Sequence, residues 1–179
     1  MNWLQEAFLE PTMVQAVIII SLVSALGLYL GRIKIFGISL GITFAFFAGI
    51  FAGHLGIVVN KDMLYFAQSF GLILFVYALG LQVGPGFFSS LKKGGVAMNM
   101  MGLGVILLGL IMTVSLHWVT GVSLSNMVGL LCGAVTNTPA LGAAQQALLQ
   151  IDPANTKGVT DMALACAVAY PLGVVGVVL

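Results

Sequence analysis

Thr136, Asn137, Thr138 and Pro139 are the residues of this chain best placed to do chemistry, because they interrupt a run of 58 uncharged residues, 94–151. Two hydroxyls and a carboxamide offer neutral donors and acceptors but no base and no activated nucleophile, so the chemistry they suit is reversible recognition of a polar solute. The residue before a proline is biased away from helix, and Asn and Thr compete with helical hydrogen bonding. Thr138 is a suitable N-cap and Pro139 suits the first position of a new helix. The expected pattern is helix, unwound polar break, helix, or else a proline-kinked structural helix. In the broken form the free N–H groups at the new helix start carry partial positive charge and can hold a carboxylate without Lys or Arg. Gln145, one to two turns on, is placed to reach the same cavity.

A second interruption is Leu79-Gly-Leu-Gln-Val-Gly-Pro-Gly-Phe87. Each glycine costs a helix roughly 1 kcal/mol against alanine and a proline about 3. Gly80, Gln82, Gly84 and Pro85 are therefore expected to form a flexible second wall, or a helix end and turn before Lys92. The third is Ala169-Tyr-Pro-Leu-Gly173, where Pro171 would kink a helix and Tyr170 points its hydroxyl into a cavity or sits at the membrane interface.

Absences narrow the chemistry further. Asp161, at the very start of the last apolar stretch, is the one Asp, Glu or Arg inside any of them, so the sequence offers no proton relay or carboxylate cation site deep in a span. A hydrolase triad, a metal cluster and a phosphate-cradling loop are missing, which argues against an enzyme and implies no cofactor. His54 and His117 lie near expected span ends as interfacial or structural residues, and Cys132 and Cys166 read as small buried hydrophobes.

The elements that must position these residues are membrane helices. The chain has six Lys or Arg and five Asp or Glu in 179 residues, and 60% of it is hydrophobic. Its mean hydropathy is +1.15. A 179-residue soluble core cannot enclose that much apolar surface, whereas a bilayer takes about 20 apolar residues per helix. Six hydrophobic segments follow, Met13–Gly31, Ile35–Val59, Met63–Leu91, Val96–Val119, Leu124–Leu149 and Val159–Leu179, joined by short connections within one transmembrane domain, 1–179. The net charge of +1 and the lack of a basic run beyond Lys92-Lys93 give no sign of nucleic acid.

Arg32 and Lys34 after the first segment and Lys92-Lys93 after the third place those loops in the cytoplasm and the N-terminus outside. Whether Leu124–Leu149 crosses the bilayer or dips in and returns decides the side of the 152–161 loop and of Leu179. The sequence leaves both open. Trp3, Leu4, Ala7, Phe8 and Leu9 read as an interfacial segment rather than a cleavable signal, and Leu179 closes the chain in mid-stretch, as in a piece of a longer protein. Glycines recur four apart at Gly27/Gly31, Gly37/Gly41, Gly49/Gly53, Gly80/Gly84 and Gly129/Gly133, a spacing that suits close helix packing in lipid.

Phe75-Val-Tyr-Ala-Leu-Gly-Leu-Gln-Val-Gly-Pro-Gly-Phe87, Gly133-Ala-Val-Thr-Asn-Thr-Pro-Ala-Leu141 and Ala169-Tyr-Pro-Leu-Gly-Val-Val-Gly176, in that order, resemble the aspartate–alanine exchanger family of bacterial membrane transporters. The resemblance covers nearly the whole chain. It implies the N-terminal membrane half of an all-α transporter built from two related halves, an inverted repeat distantly akin to the bile-acid/sodium symporter-like folds, in which a discontinuous helix meets its symmetry mate at the substrate site. It also implies a missing C-terminal membrane half, cytoplasmic regulatory domains, a homodimer and a bacterial inner-membrane location. The expected function is antiport of a small carboxylate-bearing solute, an amino or dicarboxylic acid, by alternating access. A channel-like pore and a scaffold or sensor domain are the alternatives.

Overall fold

A computed structural model describes residues 11–35, 38–39, 41–90 and 95–178. The interfacial segment at Trp3–Leu9, Gly37, the Lys92-Lys93 loop and Leu179 lie outside the described residues. The elements are α1 (Met13–Leu30), β1 (Lys34–Ile35), β2 (Ile38–Ser39), a 3-10 turn at Gly41–Thr43, α2 (Phe44–His54), α3 (Lys61–Ser90), α4 (Val96–Thr120), α5 (Leu124–Ala134), α6 (Thr138–Ile151) and α7 (Thr156–Val178). Four stretches, Met13–Leu30, Lys61–Ser90, Val96–Thr120 and Thr156–Gly176, are long and apolar enough to cross a bilayer. The only strands among the described residues are the two-residue pair β1–β2, antiparallel with Lys34 opposite Ser39. The chain is thus an essentially all-helical, multi-pass membrane protein. It divides into two compact units, Met1–Phe70 and Gly71–Leu179.

In the first unit, α2 returns along α1. A side chain at Gly27 would collide with the Ala45 backbone and one at Gly31 with the Gly41 carbonyl, while Gly49 faces Val23. At the far end, Gln15 Nε2 donates to the Val58 carbonyl at 2.9 Å. Asn60 Nδ2 reaches the Pro11 carbonyl at 3.5 Å. The second segment expected from sequence therefore does run back beside the first, but as one 11-residue helix and not as a span over Ile35–Val59. The left-handed Gly56 (φ 81°) lies just beyond its end, and 11 residues rise only about 16 Å, half a bilayer core.

α3 corrects another expectation. The helix continues unbroken through Gly80, Gly84, Pro85 and Gly86 to Ser90. In lipid an unwound segment would strand several backbone N–H and C=O groups at several kcal/mol each, more than the glycines cost the helix. α7 likewise continues through Pro171.

The second unit is organised on α7. A side chain at Gly129 would strike the Met162 carbonyl and Ala165, one at Gly133 Cys166 and Ala169, and one at Gly173 the Gly133 and Ala134 carbonyls. Successive residues of α5 thus meet successive residues of α7, so the two helices run parallel in close contact. α6 returns: Gln145 Nε2 donates to the Val159 carbonyl at 2.9 Å. Gly158 sits against both Ser125, at the start of α5, and Leu148, near the end of α6. α5 and α6 therefore form a helical hairpin with both ends at Gly158 and its tip beside Ala169–Gly173. Cys132 and Cys166 are free thiols buried in this packing.

Candidate functional site

The hairpin tip is the polar break singled out in the sequence. α5 ends at Ala134 and α6 begins at Thr138. Among the described residues Thr136 is the one non-glycine with positive φ, 53°, a strained conformation for a β-branched side chain. The N-cap of α6 is Asn137, one residue before the expected Thr138: Asn137 Oδ1 accepts from the Ala140 N–H at 3.0 Å. Thr138 and Pro139 occupy the first turn. Asn outranks Thr as a cap because its carboxamide oxygen spans the gap to the third helical N–H without strain.

The hydrogen bonds of the break change its expected electrostatics. The Val135 N–H donates to the Leu131 carbonyl (3.1 Å), Thr136 to Gly133 (3.0 Å), Asn137 to Cys132 (2.8 Å) and Leu141 to Asn137 (3.3 Å). Ala140 is taken by the cap and Pro139 has no N–H. Of the several free amides expected, only that of Thr138 is left without a partner among the described residues. The hydroxyls of Thr136 and Thr138 and the Nδ2 of Asn137 also make no hydrogen bond among these residues. On the acceptor side, the carbonyls of Ala134 and Val135 have no N–H donor among the described residues. The site is therefore a set of four neutral donors at the start of α6 facing the carbonyl end of α5.

Thr136 and Thr138 are half-buried and Asn137 is exposed. Tyr170 is 4% exposed, and its hydroxyl donates to the Thr136 carbonyl at 3.5 Å. Tyr170 is thus brought to the break, as an inward residue and not an interfacial one. Gln145 is held in its bond to Val159, toward the open end of the hairpin and away from its tip. Gly80, Gln82, Gly84 and Pro85 are not gathered in: every residue from Ile73 to Ser90 is exposed, and a Cβ at Gly80 or Gly84 would meet open space.

Sequence reasoning did not find a groove of about 400 Å³ between α4 and α5, lined by Ile106, Gly109, Leu110, Leu131, Val135 and Asn137 among others. The sole hint was Gly109 in an otherwise bulky run, whose missing side chain leaves room facing Leu131. In the last turn of α4, His117 Nδ1 donates to the Val122 carbonyl at 2.6 Å, a structural role that closes the turn into α5.

With this geometry in hand, the chain's relatives are informative. It is 60% identical over its whole length to an uncharacterized transporter of Bacteroides thetaiotaomicron, of which it covers 32%. It is 59% identical over 177 residues to one of Porphyromonas gingivalis, again covering 32%. A third, from Bacteroides fragilis, is 53% identical over 164 residues, of which the chain covers 29%. The chain thus spans about a third of the length of these curated relatives. No solved structure matches it. Residues 19–179 match the family description Asp-Al_Ex, predicted permease membrane region, and the chain belongs to that family.

Proposed function

We propose that this chain is part of the membrane region of a secondary transporter, of antiporter type, that moves a small carboxylate-bearing solute by alternating access. The observation that carries the reading is the hairpin tip: one unpaired amide, two hydroxyls and a carboxamide at the start of α6, with no charge to compete. A carboxylate has about four lone-pair sites and these groups offer four donors, strengthened by the positive end of a 14-residue helix. Transport names among the relatives support the class, and broken helices at membrane depth are where carriers bind solutes.

In this reading α5 and α6 are a re-entrant hairpin. It is supported by the convergence of Ser125 and Leu148 on Gly158. Neither helix alone, about 16 and 21 Å long, crosses a 30 Å core. The 152–161 loop then lies outside with the N-terminus, in the bacterial inner membrane, and α7 heads inward toward the cytoplasmic domains that the family resemblance implies. The fully exposed second half of α3 is the face left for the missing membrane half, and Gly80, Gln82, Gly84 and Pro85 contribute there. Homodimerisation belongs to the same proposal.

Counterflow in proteoliposomes holding the complete protein tests it. Labelled amino or dicarboxylic acid should enter faster when unlabelled solute is trapped inside, and entry should saturate. Flux that does not saturate, or single-channel conductance, would establish a pore instead. No flux, with activity indifferent to simultaneous replacement of Thr136, Asn137 and Thr138, would leave a scaffold.

A further inference from the structure

The thiols of Cys132 and Cys166 take no part in the recognition chemistry of the hairpin tip, yet the fold brings them together. Cys132 lies on α5 just before Gly133, whose missing side chain lets the Cys166 backbone of α7 come so close that a Cβ there would collide with it. Cys132 and Cys166 each stand four residues before a member of the joined pair Thr136 and Tyr170, so they meet about one helical turn below that contact. The two thiols are within electrostatic reach of each other. Both are free, Cys166 is fully buried, and Cys132 is 5% exposed. Cys132 also lines the groove of about 400 Å³ between α4 and α5, which gives a way in.

We propose that this dithiol is a binding site for a soft divalent cation in linear two-sulfur coordination, of the mercury(II) type, and that the bound ion staples the hairpin to α7. Thiolates are the ligands that soft cations prefer. Among the described residues no group of three or more His, Cys, Asp or Glu gathers, so the pair does not supply the four ligands that zinc takes. Charge selects further. No charged residue lies within 94–151, and those nearest Cys166 in sequence, Asp161 and Lys157, are more than a turn away. A complex buried there must be neutral, and two thiolates with one divalent ion are. Neutral mercuric chloride entering the groove exchanges two Hg–Cl bonds for two Hg–S bonds. The two thiol protons leave with the two chlorides, and no electron is transferred. The effect on transport rests on the carrier reading: a bridge just below Thr136 and Tyr170 holds the solute-facing tip on α7 and stops alternating access.

The probe is mercuric chloride, added to the complete protein in proteoliposomes, with the Cys132→Ser/Cys166→Ser double variant as background. X-ray absorption of the additional ion should show two sulfur neighbours. The parent should retain that ion against millimolar glutathione at least about tenfold longer than Cys132→Ser or Cys166→Ser alone. Alanine variants take the place of any serine variant that does not fold. Counterflow should fall at least about tenfold on loading and return with dithiothreitol, while the double variant keeps its rate. A single sulfur neighbour, or equal retention by the parent and the single variants, would overturn the site. Unchanged counterflow in the loaded parent, or equal arrest of the double variant, would overturn the staple. If the ion-free protein exchanges no solute, the carrier reading falls and the staple with it, while absorption and retention still decide the metal site.

Discussion

The hydroxyl of Tyr170 points at the carbonyl of Thr136 across 3.5 Å, tying the middle of α7 to the strained residue at the hairpin tip. The left-handed backbone of Thr136 costs on the order of 1–3 kcal/mol, which the packing of α5 on α7 has to sustain. That strain turns the Thr136 side chain and its neighbours out of any helical path.

Replacing Thr136 should therefore separate stability from function. Asn adopts the left-handed region readily, so Thr136→Asn should raise the melting temperature in detergent, by about 1 kcal/mol of relieved strain. It should also cut the counterflow rate by about tenfold, the loss of one hydrogen bond to a charged group. A lower melting temperature would show that Thr136 is held without strain.

Asn137 has two jobs that two substitutions pull apart. Asn137→Ala removes the cap on Ala140 and should cost about 1 kcal/mol of stability as well as transport. Asn137→Asp keeps an oxygen to cap the helix while placing a negative charge where a carboxylate would sit. Its melting curve should match the parent and its counterflow should vanish. If Asn137→Asp transports normally, the solute carboxylate is not there.

The glycine pairs divide by environment, and thermal stability will show it. Gly133→Ala drives a methyl into the Cys166 backbone and should destabilise by about 1–3 kcal/mol. Gly80→Ala meets open space and should be neutral or slightly stabilising, since alanine favours helix by roughly 1 kcal/mol. Equal losses from the two variants would mean that α3 is packed as tightly as α5.

The return of α6 toward the start of α5 makes a topological prediction. Cysteines placed at Val122 and at Ala154, before and after the hairpin, should react with an impermeant maleimide from the same side of the membrane. Labelling from opposite sides would mean that α5 and α6 together cross it.

The polar break was legible because its signals are local. A proline preceded by Thr and Asn in an uncharged run marks where a helix is disturbed, whereas the choice of a break over a kinked helix, of Asn137 over Thr138 as cap, and the pairing of most amides at the break needed coordinates. What the sequence hid is set by contacts between distant residues. Gly129, Gly133 and Gly158 look like Gly80 and Gly84 in the sequence, yet the first three meet α7, Ser125 or Leu148 and the other two meet nothing among the described residues. Gln145 is as suited to a cavity as to the Val159 carbonyl until the hairpin is seen to close. The unbroken α3 shows the converse: local helix costs at Gly80–Gly86 were readable, but the larger cost of exposing backbone to lipid decides.

The location of the solute can be read most directly by chemical protection. In the complete protein carrying Thr138→Cys as its reactive thiol, with Cys132 and Cys166 replaced by alanine, alkylation by a small maleimide should slow several-fold when transported solute is added, and recover when it is washed out. A rate that stays the same at saturating solute, in a variant that still binds it, would place the solute elsewhere and contradict the account of the hairpin tip.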